Sequence, residues 1–264
     1  MNATSEEMIA RDWARLGVLF NVTPAEQTPD VEGLLLNTVR STSGNSRLLI
    51  MAATWMVHYA DYVAKRRLAI RIRDELEIQY QPIMGLLLEW VQTHGHRNHH
   101  RFREALKYCA RACESGPLLM VNRRSALLRK ISEQRASVLS RRWGVWMEEF
   151  EIRDKVLRSP EWIAQENPAL QISALCGGDL VATIAADAAA GLTSFQSESQ
   201  MARRYGASRA ATRDAVLKLK MAGYAQQTRS GKAHPISVTP FPRFTVLPRS
   251  DSQANSVSSI VASG

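Results

Sequence analysis

Cysteine is scarce in this sequence, with three residues in a chain of 264. So few cysteines do not make a disulfide framework, and a reducing compartment is the simpler interpretation. The first residues, MNATSEEMIARDW, include acidic side chains and no apolar signal-peptide core. The most apolar internal run, LLIMAATWMV at 48–57, is too short to cross a bilayer. We therefore expect a cytoplasmic protein with no membrane partner.

Motifs of catalysis are also missing. Neither Gly-x-Ser-x-Gly nor His-Glu-x-x-His occurs, and SGKA around Gly231 lacks the first glycine and the Ser/Thr of a phosphate-binding loop. Glu148 and Glu149 are adjacent in a Trp-rich segment with helical periodicity, where neighbouring carboxylates point to different faces. An enzyme is the least expected class, and we predict no catalytic residues and no cofactor.

One histidine-rich stretch suggests a metal ion. THGHRNHH at 93–100 is followed by CARAC, in which Cys109 and Cys113 are one helical turn apart. These side chains could be arranged around zinc. The spacing matches no zinc-finger pattern, however, and two cysteines one turn apart are often core thiols. We therefore predict no metal site.

Positive charge is what the sequence has in surplus. The formal net charge is +9, which favours an anionic partner, while 45% apolar residues are enough for a packed core. The surplus is concentrated in residues 196–232, where basic side chains greatly outnumber acidic ones. The basic residues there are Arg203, Arg204, Arg209, Arg213, Lys218, Lys220, Arg229 and Lys232, and the acidic ones are Glu198 and Asp214.

Helical periodicity dominates the first part of the chain. EEMIARDWARLGVLF at 6–20 predicts a helix, so we assign residues 1–33 to a leading helix and loop. Residues 34–160 are predicted to form an all-helical domain of five or six helices, whose tryptophans are core or interface anchors. The helical stretches are Leu48–Leu76, Ile83–Thr93, Phe102–Cys113, Ser125–Glu133 and Val138–Leu157.

A proline-containing segment, RSPEWIAQENPAL, predicts a boundary, and we assign residues 161–177 to a linker. GDLVATIAADAAA then predicts a helix, SESQMARRYG a short helix with a capping box at Ser197 and Gln200, and SRAATRDAVLKLKMAGY a longer helix ended by Gly223. YAQQT and ISVT predict two strands with Gly231 at the hairpin tip. Residues 241–264 are Ser-rich and are predicted to form a flexible tail.

This order of elements is that of a winged helix-turn-helix, in which a recognition helix enters the major groove. The predicted fold class is mainly α, with the N-terminal all-helical domain followed by a C-terminal winged helix-turn-helix at 178–240 with a small β-hairpin wing. Ala215, Val216, Leu219 and Ala222 form the apolar stripe of the longer helix. Ser208, Arg209 and Arg213 lie on the other side at its N-terminal end, and Ala210 is small enough for close approach to a groove.

The run SESQMARRYGASRAATRDAVLKLKMAGY resembles the DNA-binding half of the GntR family of bacterial regulators. The family pattern is Ser-Glu-x-x-Leu-Ala-x-x-Phe-Gly-Val-Ser-Arg-x-Thr-x-Arg-x-Ala-Leu-x-x-Leu-x-x-x-Gly-Leu. This chain supplies, without insertion, Ser197, Glu198, Met201, Ala202, Tyr205, Gly206, Ala207, Ser208, Arg209, Arg213, Ala215, Val216, Leu219, Gly223 and Tyr224. With the flanking elements at 178–240, the unit that carries the resemblance covers roughly a quarter of the chain, and the resemblance implies a DNA-binding module.

The resemblance also implies roles for individual residues. Ser208 and Arg209 would contact phosphates, Arg213 would reach base edges or phosphate, and Gly231 with Lys232 would place the wing near the minor groove. Ser199 stands where many family members have a DNA-contacting arginine, and Thr212 where they have an apolar residue. The family places this unit before its effector domain, whereas here it comes last. The predicted DNA-binding residues are Ser197, Ser199, Arg203, Ser208, Arg209, Ala210, Arg213, Arg229, Gly231 and Lys232.

We therefore expect a nucleoid-associated protein that binds double-stranded DNA sequence-specifically, as a homodimeric transcriptional regulator. The helical domain would mediate dimerisation or bind a protein partner. The alternative is a DNA-binding or scaffold subunit of a mobile-element, plasmid-maintenance or defence complex. The basic helix could also be a solvated face, or the winged helix could bind protein. The basic runs AKRRLAIRIR at 64–73 and NRR at 122–124 could extend a DNA footprint.

Overall fold

The fold is that of a computed structural model, which describes residues 3–95, 102–175, 180–221, 223–228 and 234–240. The chain is mainly helical, as expected, and its C-terminal part carries a small antiparallel sheet. The α-helices of the described residues are α1 Ala3–Arg15, α2 Val31–Ser41, α3 Ser46–Tyr59, α4 Lys65–Glu75, α5 Gln81–His94, α6 Arg103–Leu106, α7 Met120–Arg123, α8 Ala126–Arg135, α9 Val138–Trp143, α10 Pro160–Glu166, α11 Pro168–Leu175, α12 Leu180–Ala189, α13 Glu198–Tyr205 and α14 Arg209–Met221. The strands are β1 Gly116–Pro117, β2 Val145–Trp146, β3 Ser194–Phe195, β4 Ala225–Gln227 and β5 Ile236–Val238.

The leading helix belongs to the main hydrophobic core. Trp13 and Trp55 are fully buried and meet edge to face, with ring centroids 5.5 Å apart. Each indole N–H is satisfied, Trp13 by the Thr38 hydroxyl and Trp55 by the Leu16 carbonyl, both at 2.8 Å. Helix α1 ends at Arg15, earlier than predicted, because Gly17 takes the left-handed conformation with φ of 91°.

The predicted helical stretch Leu48–Leu76 is two helices. Helix α3 gives way to a short 3-10 turn at Ala60–Tyr62, and Val63 is extended before α4 begins. The break brings the Ala64 amide to the buried carboxylate of Glu32, whose Oε1 accepts its hydrogen bond at 2.7 Å. Because α3 and α4 are separate, both pack against α2.

The helix predicted over Ser125–Glu133 is confirmed as α8, but two other helices predicted between 102 and 157 are shorter than expected, and the strands β1 and β2 were not predicted. The helix expected over Phe102–Cys113 is a single turn, and the one expected over Val138–Leu157 ends at Trp143. Gly144, with φ of 74°, ends α9, and strand β2 then pairs in parallel with β1. Trp143 is held in place by close packing on Gly85, where an added Cβ would lie 2.2 Å from the indole ring.

The segment assigned to a linker, 161–177, is helical as far as residue 175 and packs on the first core. Pro160 and Pro168 stand in the first turns of α10 and α11, where a missing N–H costs nothing. Ile163 and Leu170 are buried in the same cluster as Trp13 and Trp55. The prolines therefore start helices here instead of interrupting them.

A second hydrophobic cluster lies in the C-terminal part. It is formed by α12, α13, α14 and a sheet with strand order β3-β5-β4, all antiparallel. Phe195 pairs with Ile236, and Gln226 pairs with Ser237. The two strands predicted at 224–228 and 236–239 are confirmed, whereas β3 was not predicted. The predicted tail at 241–264 lies outside the described residues.

Candidate nucleic-acid interface

Helix α13 begins with the predicted capping box. Ser197 is extended, and its hydroxyl accepts the Gln200 amide at 3.2 Å. The Gln200 side chain returns a hydrogen bond to the main chain, with Oε1 accepting from the Gln196 amide at 2.6 Å, one residue before the position expected for a capping box. Ser199 follows in the first turn and is half-buried. The start of α13 is therefore fixed by hydrogen bonds of uncharged side chains.

The turn between α13 and α14 requires glycine for two reasons. Gly206 has φ of 55° and ψ of 32°, in the left-handed region, and its amide donates to the carbonyls of Ala202 and Arg203. A Cβ at Gly206 would also lie 2.2 Å from Cδ1 of Ile70 on α4. The turn that leads into α14 therefore lies directly against the N-terminal part of the protein.

The first turn of α14 is capped by Ser208. Its Oγ accepts the Ala211 amide at 3.1 Å, which leaves the hydroxyl proton available to an incoming acceptor. Thr212 is fully buried, and its hydroxyl donates to the Ser208 carbonyl at 3.0 Å. This bond explains how a polar side chain occupies a position that is usually apolar in the family pattern.

The two faces of α14 differ in the way the sequence predicts. Ala215, Val216 and Leu219 are buried against the second cluster, and Ala222 lies outside the described residues. Arg209, Ala210 and Arg213 are exposed. These three side chains share the N-terminal end of the helix, where the helix dipole also favours negative charge.

Arg213 is positioned by a carboxylate that sequence reasoning did not single out. Its Nε lies 3.6 Å from Oε2 of Glu198 on α13, and the arginine side chain remains 74% exposed. The other oxygen of Glu198 accepts from Nε2 of Gln227 on β4 at 3.4 Å. Glu198 thus joins α13, α14 and β4 at one point. By contrast, Arg209 makes no ion pair with the described residues.

Arg203 faces a different part of the protein. It lines a polar cavity of about 370 Å³ between α13 and α4, together with Asp30, Asp74 and Glu75. Its neighbour Arg204 pairs with Asp187 at 3.0 Å. The structure therefore places Arg203 beside acidic groups of α4 and its surroundings, and Arg209 and Arg213 on α14. Arg229, Gly231 and Lys232 lie outside the described residues, between the paired strands β4 and β5.

The basic run on α4 is largely neutralised by local carboxylates. Arg67 lies 3.2 Å from Asp30, Arg71 contacts both Asp30 and Glu75, and Arg73 lies 2.6 Å from Asp74. This pairing weakens the case for α4 as an extension of a DNA footprint. No feature of the sequence run AKRRLAIRIR by itself indicates that Asp30, a distant residue, supplies two of these contacts.

The histidines and cysteines considered as possible zinc ligands are not brought together in the described part of the chain. Cys109 and Cys113 follow the end of α6 and do not share a helix, and burial raises the pKa of Cys109 to about 12. His94 stacks on Trp90 with ring centroids 4.1 Å apart, and His96, His99 and His100 lie outside the described residues. Among the residues described, no three His, Cys, Asp or Glu side chains are placed to hold a metal ion.

No protein-family model, no curated protein and no solved structure matches this chain. Within the described ranges, none of the helices combines the length and the apolar character that crossing a membrane requires. Support for a function therefore comes from the geometry and chemistry of α13, α14 and the sheet beside them.

Proposed function

We propose that residues 180–240 form a winged helix-turn-helix that binds duplex DNA, with α13 and α14 as the helix pair. The observation that carries the proposal is the N-terminal end of α14, where Arg209, Ala210 and Arg213 are exposed while the opposite stripe is buried. The strand order β3-β5-β4 and the resemblance of residues 197–224 to the GntR pattern support the same proposal.

The chemistry of this helix end suits a groove of DNA. Arginine pairs with both O6 and N7 of guanine, and a small residue such as Ala210 lets the helix approach the base edges. Ser208 offers a hydroxyl proton to a phosphate while its oxygen caps the helix. The contact to Glu198 orients Arg213. Because the two side chains are 3.6 Å apart and the arginine is 74% exposed, Arg213 can exchange this contact for a base or phosphate at little cost.

Transcriptional regulation by a homodimer is the use that we propose for this surface. A single winged helix buries a limited area, and two copies on an inverted repeat multiply specificity. The part of the chain that contains the first core would then hold the dimer together or bind a further protein.

A second candidate is a DNA-binding subunit of a larger assembly. It is favoured by exposed apolar side chains of α7, α8 and α9, among which Val121, Leu127 and Val138 are the most exposed. Apolar surface of this kind commonly marks an interaction site. A partner-dependent subunit would bind DNA without a preferred palindrome, which separates it from a regulator.

The experiment that tests the proposal is selection of a randomised duplex pool by the full-length protein at near-physiological salt. We expect a motif to be enriched, and Arg209→Ala/Arg213→Ala to lose it with an affinity decrease of about 30-fold or more, because each arginine contact to a base contributes about 1–3 kcal/mol. Lys218→Ala/Lys220→Ala is the matched control, since it removes the same charge from the other end of α14.

The outcomes separate the candidates. Loss of the motif in the arginine variant alone supports base reading by α14, and an inverted repeat supports the dimer. Equal losses in both variants, without a motif, indicate nonspecific electrostatic binding and favour the assembly subunit. An absence of binding by the wild-type protein would contradict the DNA-binding proposal.

A further inference from the structure

The chain that follows β2 has an unpaired main chain. Residues 148–152 are neither helix nor strand, and none of their amides or carbonyls forms a hydrogen bond with the described residues. The segment is fixed at both ends. The Met147 amide and carbonyl bond to Ser140 and Ser137, and the Arg153 amide lies 3.5 Å from the Thr54 hydroxyl. Within the described part of the chain, these five consecutive residues therefore offer main-chain donors and acceptors that no other residue uses, as the edge of a sheet does.

The same segment is supported from behind by the first core. Phe150 stacks on Trp90 with ring centroids 4.2 Å apart and planes at 22°. Glu149 accepts the Trp90 indole N–H at 3.1 Å. Phe150 and Ile152 pack inward while Glu151 is exposed, which is the alternation of a strand. Its unpaired main chain is thus held in a defined place.

A groove lies between this segment and α8. Its volume is about 530 Å³, within the range of about 300–1,000 Å³ for ligand cavities in proteins. Its apolar lining comes mainly from Ile50, Leu118, Leu128, Ile131 and Trp146, with Phe150 and Ile152 on the other wall. None of the residues of α8 is fully buried, and Leu128 remains 38% exposed, so the fold covers the apolar face of this helix only in part.

The charge of the groove is opposite to that of the whole protein. Glu148, Glu149, Glu151 and Arg153 are its charged lining residues, three carboxylates against one guanidinium, in a chain of net charge +9. Glu148 lies 3.1 Å from the exposed Arg135, whereas Glu151 makes no ion pair with the described residues. An occupant that carries basic side chains is therefore favoured over an acidic one.

We propose that the groove between α8 and residues 147–153 binds an extended, basic and apolar segment of another protein by strand addition. The occupant's main chain would pair with residues 148–152, its apolar side chains would contact Leu128 and Ile131, and alternate basic side chains would lie near Glu151. A helical occupant would leave residues 148–152 unpaired, because a helix satisfies its own amides and carbonyls. This binding site is separate from the proposed DNA surface and does not depend on it.

A display library of random short peptides, selected on the immobilised full-length protein, tests the proposal. We expect the enriched peptides to alternate apolar and basic residues. Their affinity should fall about tenfold or more in Leu128→Glu, because this variant places a carboxylate in the apolar wall. Leu127→Glu is the matched control. Leu127 is the preceding residue of α8, is 68% exposed and does not line the groove, whereas Leu128 is 38% exposed.

Hydrogen exchange of the protein with and without an enriched peptide gives the second readout. Slower exchange at the amides of 148–152 supports strand addition, because those amides gain acceptors. The proposal is overturned if no peptide distinguishes wild type from Leu128→Glu or if the enriched peptides carry a helical pattern. It is also overturned if the peptide slows amide exchange only at residues outside 148–152. Denaturant unfolding of both variants verifies that each is folded before binding is compared.

Discussion

Helices α4 and α14 both have arginine-rich sequences, but their arginines have different neighbours in the folded protein. On α4, the side chains of Arg67, Arg71 and Arg73 each face a carboxylate within hydrogen-bond distance or close to it. On α14, Arg209 makes no ion pair with the described residues, and Arg213 has only the distant contact with Glu198. The two runs have similar composition and opposite electrostatic surroundings.

A basic run has guanidinium groups available to an anionic partner only where the fold does not supply counter-charges. A paired guanidinium has its donors occupied and gives up a carboxylate before it can bind phosphate. An exposed one exchanges only water and counterions. The sequence positions of the arginines do not distinguish these cases, because Asp30, which serves both Arg67 and Arg71, is far from them along the chain.

The contact between Ile70 of α4 and Gly206 gives the largest expected effect. Gly206→Ala should lower the free energy of unfolding by about 2–4 kcal/mol, because left-handed strain of roughly 1–2 kcal/mol adds to the clash with Ile70. Gly223→Ala is the matched control, since Gly223 also has positive φ, 79°, but open space around its Cα. Denaturant unfolding measures both.

Ile70→Ala tests whether contact with Ile70 causes part of the stability loss in Gly206→Ala. If the clash is real, Ile70→Ala should recover part of the stability lost in Gly206→Ala, and should not do so for Gly223→Ala. Equal losses in the two glycine variants, with no rescue, would mean that α4 does not press on the turn before α14.

Glu32, which is buried beside Arg67 of α4, is expected to make the stability of the protein depend on pH. Burial raises the pKa of Glu32 from 4.5 to about 7, with Arg67 acting in the opposite direction. The folded state then binds the proton more tightly than the unfolded state, so wild-type stability falls as pH rises from 4.5 to about 7. At about 1.4 kcal/mol per pKa unit, the loss approaches about 3 kcal/mol.

Glu32→Gln should remove this slope. The variant's stability relative to wild type should therefore increase by up to about 3 kcal/mol across the same pH interval, as measured by urea unfolding at several pH values. Parallel curves for the two proteins would show that folding does not raise the pKa of Glu32, which would mean that Arg67 offsets the effect of burial.

The last test replaces one arginine with methionine on each of α4 and α14. We expect it to change stability the least, and it compares the arginines of the two helices directly. Arg71→Met should cost about 1–2 kcal/mol, because it leaves Asp30 and Glu75 without this partner in a partly buried site, and it should not change DNA affinity. Arg209→Met should leave stability within about 0.5 kcal/mol and weaken DNA binding. Unfolding curves and fluorescence-anisotropy titrations with one duplex supply both quantities.

Other results for the DNA affinities of these two variants would contradict the difference inferred between α4 and α14. If Arg71→Met weakens DNA binding as much as Arg209→Met, α4 takes part in the interface and its ion pairs open when DNA binds. If neither variant changes binding, the exposed end of α14 is not the DNA-contacting surface.

Local signals in the sequence predicted the C-terminal helices and strands well. The capping oxygen of Ser197, the left-handed glycines at 206 and 223, and the strands at 224–228 and 236–239 depend on residues that are close in sequence. Predictions failed where partners are distant. The helix expected over Val138–Leu157 ends at Trp143, which packs on Gly85, and the segment assigned to a linker is helical as far as residue 175 and packs on the first core.

Periodicity, caps and turns act within a few residues. They were therefore enough to predict a mainly helical chain, an apolar and a basic face on α14, and two paired strands after it. Which cations are neutralised depends on tertiary contacts, because folding brings Asp30 to α4. Tertiary contacts also leave the main chain of residues 148–152 without hydrogen bonds to the described residues, beside a groove that has apolar walls and three carboxylates. Charge pairing and main-chain pairing are contacts between distant segments, and composition does not encode their geometry.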